Sequence, residues 1–499
     1  MNKFQQYFFS LTILVSIPLF AQDSNIFLDR AYWKSNPTIG NIEKHIKEGH
    51  DVSALNSNAF DAVTYALIEK VDNKTIEYLL SQKGNGVNKI THDGRTYIFW
   101  AAYKNNIEMM QYLLDKGAKT DIIDDHGYTV MNFAASTGQT DTKLYDWLIT
   151  HGADVLVEKN HNEANVLLLV APYLKDTKLI DYFKVKGISI QDTDKHGNGL
   201  FNYTAKRGNI SLLKKLVELG IPYQTFNDQG GNAMIFAAKG ARRHTNTLEV
   251  YEYLESLGIE PNVKTKEGET PLHALAYNCK DIDVINYFLD KGVNPNQENT
   301  DGNTPFMNAA SRNDLDIIKL LANSNTDLNH LNKKGQSALM LAVQRNLNDV
   351  VAYLLENGSD LSIIDSKGNS LAYYLLNAFN NKNSKIFEDK LELLLRAGLN
   401  MTKNQSKENT LYHLAVEKND LELIKRLKDF EIEINAKNSD GLTALHIASM
   451  KAKNEIILNY LLSIGADKSI KTDFEETVFD LASENELLKI NAIDITFLK

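Results

Sequence analysis

Residues 268–273 read Gly-Glu-Thr-Pro-Leu-His, and residues 441–446 repeat the arrangement as Gly-Leu-Thr-Ala-Leu-His. In both stretches a threonine stands two residues after the glycine, where its hydroxyl group can cap the first turn of a helix. Pro271 suits the first helical position, because the N–H group that proline lacks would have no partner there. Each stretch therefore predicts a tight turn that leads directly into a helix.

The same turn residue recurs along almost the whole chain at intervals of 33 to 40 residues. The glycine anchors are Gly94, Gly127, Gly197, Gly230, Gly268, Gly302, Gly335, Gly368 and Gly441. Degenerate anchors are Ala59, Asn162, Glu408 and Glu475. After each anchor the pattern favours a short helix, a reversal, and a second amphipathic helix that ends near a glycine. So steady a period indicates stacked helical hairpins, each buried only by its neighbours.

The motifs at residues 268–273 and 441–446, with Gly-Ala-Asp at 465–467, resemble ankyrin repeats. The resemblance extends over nearly all of residues 25–499. It implies an all-α fold, an ankyrin-repeat α-solenoid of about 14 helix-turn-helix units with protruding loops or short β-hairpins. It also implies binding of other proteins through the loop tips and the concave face of the first helices. Three motif histidines are expected to pack and to bond neighbouring loops: His273, His413 and His446.

Departures from the repeat pattern predict how the chain is organised. The predicted segments are a signal peptide at 1–21, an atypical N-terminal capping repeat at 22–58, the repeat array at 59–474 and a C-terminal capping repeat at 475–499. In the units anchored at Asn162 and Gly197, Ala164 and Gly199 replace the capping threonine. These two units are predicted to be the weakest part of the array.

The first residues are typical of an export signal. Lys3 precedes an apolar run at residues 7–20, and Ala21 is followed by polar residues. That run is shorter than the roughly 18–20 residues that a membrane-spanning helix needs. We therefore expect cleavage after Ala21, no membrane insertion afterwards, and a periplasmic or secreted protein.

Composition and motifs exclude several classes of function. A net charge of -10 argues against general nucleic-acid binding, which requires a basic surface. The single cysteine, Cys279, excludes an intramolecular disulfide, and we expect it as an exposed thiol at a turn. No nucleophile elbow, phosphate-binding loop or His-Glu-x-x-His motif occurs in the sequence. The sequence thus predicts a non-enzymatic protein that requires no cofactor.

Basic and aromatic residues recur at the repeat positions that face the groove of ankyrin proteins. The position before the anchor is lysine in three consecutive units, and the position ten after it is basic six times, although the whole chain is acidic. The residues we predict for a partner site on this face are Lys334, Lys367, Lys407, Arg207, Arg312, Arg345, Lys418, Lys451, Tyr103, Tyr128, Tyr277 and Met450. Their charge favours an acidic protein partner. The alternative is that they are ordinary solvated side chains.

Three consecutive units carry histidine before the anchor: His126, His161 and His196. We include them in the predicted partner site, where they would titrate near neutral pH. One metal ion cannot join them, because neighbouring units lie about 10 Å apart whereas zinc holds nitrogen ligands at about 2 Å.

Insertions at residues 240–247 and 380–385 lengthen two units, and either serve recognition or are simple loop extensions.

These observations favour a non-enzymatic scaffold that binds a protein partner in the cell envelope. A secreted effector that binds proteins of another organism is one alternative. A metal-dependent enzyme that uses His126, His161 and His196 is another alternative. The distances between repeat units argue against it.

Overall fold

The computed structural model of the chain describes residues 25–242, 244–322 and 325–499. The predicted signal peptide at 1–21 and Arg243 of the first insertion lie outside these ranges. Across the described ranges the regular structure is helical, as predicted, and no strand occurs in them. The loops there protrude as turns rather than as β-hairpins, with an isolated antiparallel bridge between Ala241 and His244.

Within the described ranges, fourteen helix pairs follow one another, which agrees with the predicted number of about 14 units; odd-numbered helices are the first of each pair. The chain divides into two compact units, up to Lys195 and from His196 onward. Helices of the first unit are α1 Arg30–Lys34, α2 Ile39–Lys47, α3 Ala62–Glu69, α4 Asn73–Ser81, α5 Tyr97–Tyr103, α6 Ile107–Asp115, α7 Val130–Ser136, α8 Thr142–Thr150, α9 Val166–Val170 and α10 Lys178–Val185. Helices of the second unit are α11 Leu200–Ala205, α12 Ile210–Glu218, α13 Ala233–Lys239, α14 Leu248–Ser256, α15 Pro271–Asn278, α16 Ile282–Asp290, α17 Pro305–Arg312, α18 Leu315–Leu321, α19 Ala338–Arg345, α20 Asn348–Glu356, α21 Leu371–Asn377, α22 Ser384–Arg396, α23 Leu411–Glu417, α24 Leu421–Arg426, α25 Ala444–Lys451, α26 Ile456–Ser463, α27 Val478–Glu484 and α28 Glu486–Ile490.

The first helices begin where the repeat pattern places them. Thr304 accepts a hydrogen bond from the N–H of Met307 at the start of α17, and Thr443 does the same for His446 at the start of α25. Small residues such as Ala309 and Ala310 are fully buried, so that α17 packs closely between α15 and α19. Second helices bury one face only, which is why the hairpins need neighbours to stay folded.

The motif histidines join consecutive repeats, as predicted. His413 Nδ1 lies 2.8 Å from Thr410 Oγ1, and its Nε2 lies 2.9 Å from the carbonyl oxygen of Leu442 in the next loop. His273 and His446 make equivalent contacts to the following loops. Burial lowers the pKa of all three imidazoles.

Asparagine side chains tie the ends of the first helices together. Asn346 Nδ2 donates to the carbonyl oxygens of Ala310 and Asn313, at 3.0 and 2.9 Å. In the following repeat, which contains the insertion at 380–385, Lys390 of α22 takes this role and donates to Val343 and Asn346. The helix ends are therefore closed in the same way by two different side chains.

The boundary between the two compact units falls between the two repeats that depart from the motif. Asn165 caps α9 one residue later than expected, and Gly199 begins α11 without a side-chain cap. Cys279, expected to be exposed, is instead buried, because it ends α15 facing the core. None of the described helices has the length and apolar character needed to cross a membrane.

Candidate partner-binding surface

Consecutive loop tips of the second unit are joined through their backbones. The N–H of Lys333 donates to the carbonyl oxygen of Asp301, and the N–H of Ser366 donates to that of Lys334, both at 2.9 Å. This ladder holds the predicted lysines on neighbouring, exposed tips. Lys334 and Lys367 form no ion pair with any described residue, whereas Lys407 Nζ lies 3.2 Å from Asp440. The first two lysines therefore present uncompensated charge.

A groove of about 310 Å³ lies beside these tips and gathers three of the predicted residues, Tyr277, Lys334 and Arg345. The other lining residues, which sequence reasoning missed, are Asp301, Asn303, Asn308, Ser311, Asn332, Lys333, Gln336 and Leu341. The groove is thus formed by α15, α17 and α19 on one side and by the loops before α17 and α19 on the other. We call it the basic groove.

Tyr277 is the aromatic wall of the basic groove. Its half-buried ring lies under the guanidinium group of Arg312, at 5.0 Å from the carbon of that group to the ring centre. A cation placed over an aromatic face is attracted by the negative face of the ring. The contact holds the exposed Arg312 side chain next to Tyr277.

The charge of the basic groove is positive. Lys333, Lys334 and Arg345 are exposed and form no ion pair with a described residue, and Asp301 is the one carboxylate in the lining. Lys333 was missed because it stands one residue before the position taken as the loop tip. The arrangement can attract and orient a carboxylate-bearing segment.

Other predicted residues lie outside the basic groove. Lys451 Nζ approaches Glu417 at 3.8 Å, and Met450 beside it is exposed. Lys418 is exposed at its tip, although partial burial of its stem lowers the pKa of its ammonium group. Arg207 is half-buried at the end of α11.

Each predicted histidine has a different environment. His126 Nε2 lies 3.3 Å from Asp93, and the ring of His161 lies against Gly127, where a Cβ would come within 2.1 Å of it. In the second unit, His196 Nδ1 lies 3.0 Å from Asp228. In the described part of the chain, no group of three or more His, Cys, Asp or Glu side chains with ligand atoms mutually within 4.8 Å includes His126, His161 or His196.

The predicted tyrosines of the first unit are half-buried rather than free. The ring of Tyr103 packs 6.0 Å from that of Phe133, and Lys104 Nζ lies 5.0 Å over it. The N–H of Tyr128 donates to Asp124 at 2.8 Å. Both residues thus serve packing and turn formation as well as presenting an edge to solvent.

The two insertions have different structural roles. In the first, Asn246 is buried and donates to the carbonyl oxygens of Ala205 and Ala237, so this insertion closes helix ends. The second lines a groove of about 470 Å³ through Asn381 and Ser384. The remaining lining residues there are Phe379, Glu388, Glu422, Lys425, Arg426 and Asp429. Because Arg426 is already paired with Glu388 and Asp429, this second groove carries no excess of cations.

Comparison with known proteins gives the same repeat architecture. A protein-family model described as ankyrin repeats (3 copies) matches residues 44–159, 272–365 and 375–472, together more than half of the chain. The chain is 26% identical over 164 residues to the ankyrin repeat protein nuc-2 of Neurospora crassa, which is 33% of this chain and 15% of that protein. It is 28% identical over 193 residues to a putative ankyrin repeat protein of Rickettsia felis, 38% of this chain and 48% of the relative.

The chain is also 26% identical over 218 residues to the NAD-dependent deacetylase sir2B of Dictyostelium discoideum. This match covers 42% of this chain and 26% of the relative. The matches span less than half of the length of each of these relatives. Helix pairs, capping motifs, inter-repeat histidines and the match to the family model agree. The chain belongs to the ankyrin repeat family.

Proposed function

We propose that this protein is a non-enzymatic scaffold of the cell envelope and that it holds a protein partner through an acidic segment seated in the basic groove. The observation that carries the proposal is the set of three cationic side chains, Lys333, Lys334 and Arg345, that line one groove without carboxylate partners. Ankyrin repeats are protein-interaction modules, and Lys334 and Arg345 stand at the repeat positions through which the family resemblance implies binding.

The groove accounts for part of such an interface. A volume of about 310 Å³ accepts a few side chains, whereas a stable interface buries about 800 Å² on each partner. The rest of the contact would come from the loop tips, including the exposed Lys367. Exposed charges of this kind contribute mainly to orientation and to the rate of association, while Tyr277 offers the flat contact surface that anchors often use.

A charge-reversal experiment tests the proposal. Untagged wild-type protein and the variant Lys334→Glu/Arg345→Glu would be immobilised and exposed to an envelope extract, and captured proteins would be identified by mass spectrometry. We expect the wild type to retain a partner with an acidic surface segment and the variant to lose it. The matched control is Lys143→Glu/Lys489→Glu, which reverses two exposed lysines on second helices. Equal capture by the groove variant and the control would remove the groove from the binding site.

Location in the envelope is part of the proposal and rests on the apolar run at residues 7–20 and on Ala21. Fractionation of cells followed by sequencing of the mature N-terminus tests it. A chain that begins at Gln22 in the periplasm agrees with the scaffold, whereas a processed chain recovered from the culture medium favours the secreted effector instead. An unprocessed chain would contradict both.

We also propose that the protein has no catalytic activity. Ankyrin repeats typically serve binding rather than catalysis, and the similarity to the NAD-dependent deacetylase covers 26% of that protein. The three histidines of the alternative metal enzyme lie in separate environments, against Asp93, Gly127 and Asp228. Incubation with NAD and an acetylated peptide, followed by mass spectrometry, should leave the peptide unchanged; deacetylation would refute the proposal.

A further inference from the structure

The first repeat contains a pair of histidines that its helix end brings together. Helix α2 ends in a turn in which the N–H of Gly49 donates to Ile46 and the N–H of His50 donates to His45, at 3.0 and 3.1 Å. Gly49 has a φ of +95°, which this type of helix end requires. In such turns the side chain after the glycine contacts the one five residues earlier, usually as an apolar pair. Here both are imidazoles, with ring centres 5.7 Å apart.

Glu48 completes the cluster. Its Oε2 lies 2.8 Å from His45 Nδ1, and one donor atom from each of His45, Glu48 and His50 lies within 4.8 Å of the other two. Nitrogen and oxygen ligands about 2.0–2.1 Å from a tetrahedral zinc ion lie roughly 3.3 Å from one another. Side-chain rotations that move the donor atoms by about 1 Å would therefore close the cluster around an ion.

The surroundings hold the two imidazoles in place. The buried ring of Phe27 packs edge-on against both His45 and His50, at 6.3 and 6.2 Å between centres, and Tyr32 packs against His45 at 5.4 Å. The N–H of Ile26 points at His50 Nδ1 from 3.4 Å, so this nitrogen carries no proton in that arrangement. These aromatic contacts restrict rotation of both imidazoles, and an apolar shell around a metal site limits the access of solvent.

We propose that His45, Glu48 and His50 bind a divalent transition-metal ion, with Zn²⁺ as the ion that two imidazoles and one carboxylate suit best. Calcium and magnesium prefer oxygen ligands and are disfavoured. On binding, the hydrogen bond between His45 and Glu48 breaks, the Nδ1 proton of the neutral His45 imidazole is exchanged through water for one on Nε2, and Nδ1 and the Glu48 carboxylate donate electron pairs to the metal instead. Water fills the remaining coordination position, because Glu48 is exposed. Lys44 Nζ, 3.8 Å from the other oxygen of Glu48, is itself exposed and can move away.

A zinc titration of the untagged full chain, freed of metal with a chelator, tests the site. Isothermal titration calorimetry gives the stoichiometry and the affinity. We expect one Zn²⁺ per chain. The variant His45→Gln/His50→Gln should lose this binding, and Glu48→Gln should weaken it by at least about tenfold, the loss that removal of even an outer-shell partner causes.

The control is His92→Gln/His126→Gln, which removes two imidazoles whose Nε2 atoms each lie 3.3 Å from Asp93. Arg95 Nη1 also contacts Asp93, at 3.0 Å, so a cation there is repelled and the control should bind zinc as the wild type does.

X-ray absorption should show two imidazoles in the zinc shell. Absence of zinc binding by the wild type, or undiminished binding by both His45→Gln/His50→Gln and Glu48→Gln, would overturn the proposal. If the double histidine variant does not fold, Glu48→Gln still tests the site, because Glu48 is exposed and its replacement should leave the fold intact.

Discussion

The ammonium group of Lys390 lies 2.7 Å from the carbonyl oxygen of Asn346, inside the protein, and 2.9 Å from that of Val343. Asn346 in turn donates to the preceding repeat, so the lysine continues a chain of helix-end contacts that asparagines begin. An amide can make these bonds without a charge, whereas an ammonium group loses hydration on burial. Burial accordingly lowers the pKa of Lys390 to about 8.

This lowered pKa predicts a pH dependence of stability. Between pH 8 and about 10.4 the unfolded chain keeps a proton on Lys390 that the folded protein has released, so the free energy of unfolding gains a contribution that rises with pH. The gain is at most about 3 kcal/mol over this window. We expect the wild type to become more stable relative to Lys390→Met as the pH rises from 8 to 9.5.

Urea unfolding followed by circular dichroism at several pH values measures this difference, in which the titration of other lysines and tyrosines cancels. Lys489→Met, on the exposed surface of α28, is the control and should run parallel to the wild type. A constant difference between wild type and Lys390→Met would show that the buried ammonium group does not titrate in this range.

The inter-repeat histidines predict a trend of the same sign at acidic pH, where stability falls as the pH is lowered. Burial lowers the pKa of His273, His413 and His446, so below about pH 6.5 the unfolded chain takes up protons that the folded protein excludes. Their contribution to the free energy of unfolding is complete above pH 6.5 and is lost as the pH falls toward their folded-state pKa values. His413→Leu should weaken the acid sensitivity while lowering stability at pH 7.5, since the contact with Leu442 is lost.

Denaturant midpoints at pH 7.5, 6.5 and 5.5 test this prediction, with His126→Leu as the control because its imidazole is exposed. Equal acid sensitivity in both variants would mean that carboxylates, rather than the buried imidazoles, set the loss of stability.

Much of this fold can be predicted from local sequence. Thr304 and Thr443 cap helices where the spacing places them, because capping requires only the residue and its next three neighbours. The basic groove was predicted in part: Tyr277, Lys334 and Arg345 recur at fixed repeat positions, so a family pattern identifies them. Lys333 was not predicted because Lys334, the next residue, occupies the loop-tip position that the repeat pattern identifies.

Features that depend on packing could not be predicted in this way. Cys279 follows a helix in a turn, and contacts between repeats surround it: Asn313 of the next repeat donates to its carbonyl oxygen, and the residue is buried. His45 and His50 are five residues apart, a spacing that puts them on different faces of a continuous helix. They meet because the helix ends at Gly49. The signal that could have found them is a histidine pair that brackets a glycine helix end.

A buried ion pair in the first unit predicts a large loss of stability on substitution. The guanidinium group of Arg95 lies 2.7 Å from the fully buried carboxylate of Asp124 and stacks 4.1 Å from the centre of the Phe133 ring. Arg95→Met leaves this carboxylate inside the protein without its cation, which typically costs about 3–5 kcal/mol. Arg95→Met/Asp124→Asn should be less destabilised than the single variant, because the amide keeps the oxygen that caps the turn at Tyr128 but carries no charge.

Tryptophan fluorescence reports this unfolding selectively, since Trp33, Trp100 and Trp147 all precede residue 196. A double variant as unstable as the sum of both single variants would show that Arg95 and Asp124 act independently.

The burial of Cys279 predicts that its thiol reacts slowly with alkylating reagents. Cys279 is 1% exposed, and burial raises the pKa of its thiol, so both access and the thiolate fraction are reduced. We expect alkylation by iodoacetamide at pH 8 to be at least about tenfold slower in the native protein than in protein unfolded by guanidinium. Intact-mass spectrometry over time measures both rates. Equal rates would mean that the end of α15 opens faster than the reagent reacts.

The structure of the basic groove predicts that the ring of Tyr277 contributes to partner binding in addition to the positive charges of the groove. Tyr277 presents one half-buried ring under Arg312, and loss of the ring removes both a contact surface and the platform that positions the guanidinium group. Tyr277→Ala should weaken binding of the captured partner by about tenfold or more, whereas Tyr277→Phe should retain most of the affinity because the ring remains. Surface plasmon resonance gives both affinities, with circular dichroism to confirm folding. Equal loss in both variants would assign the effect to the hydroxyl group, and no loss in either would place the partner elsewhere on the repeat surface.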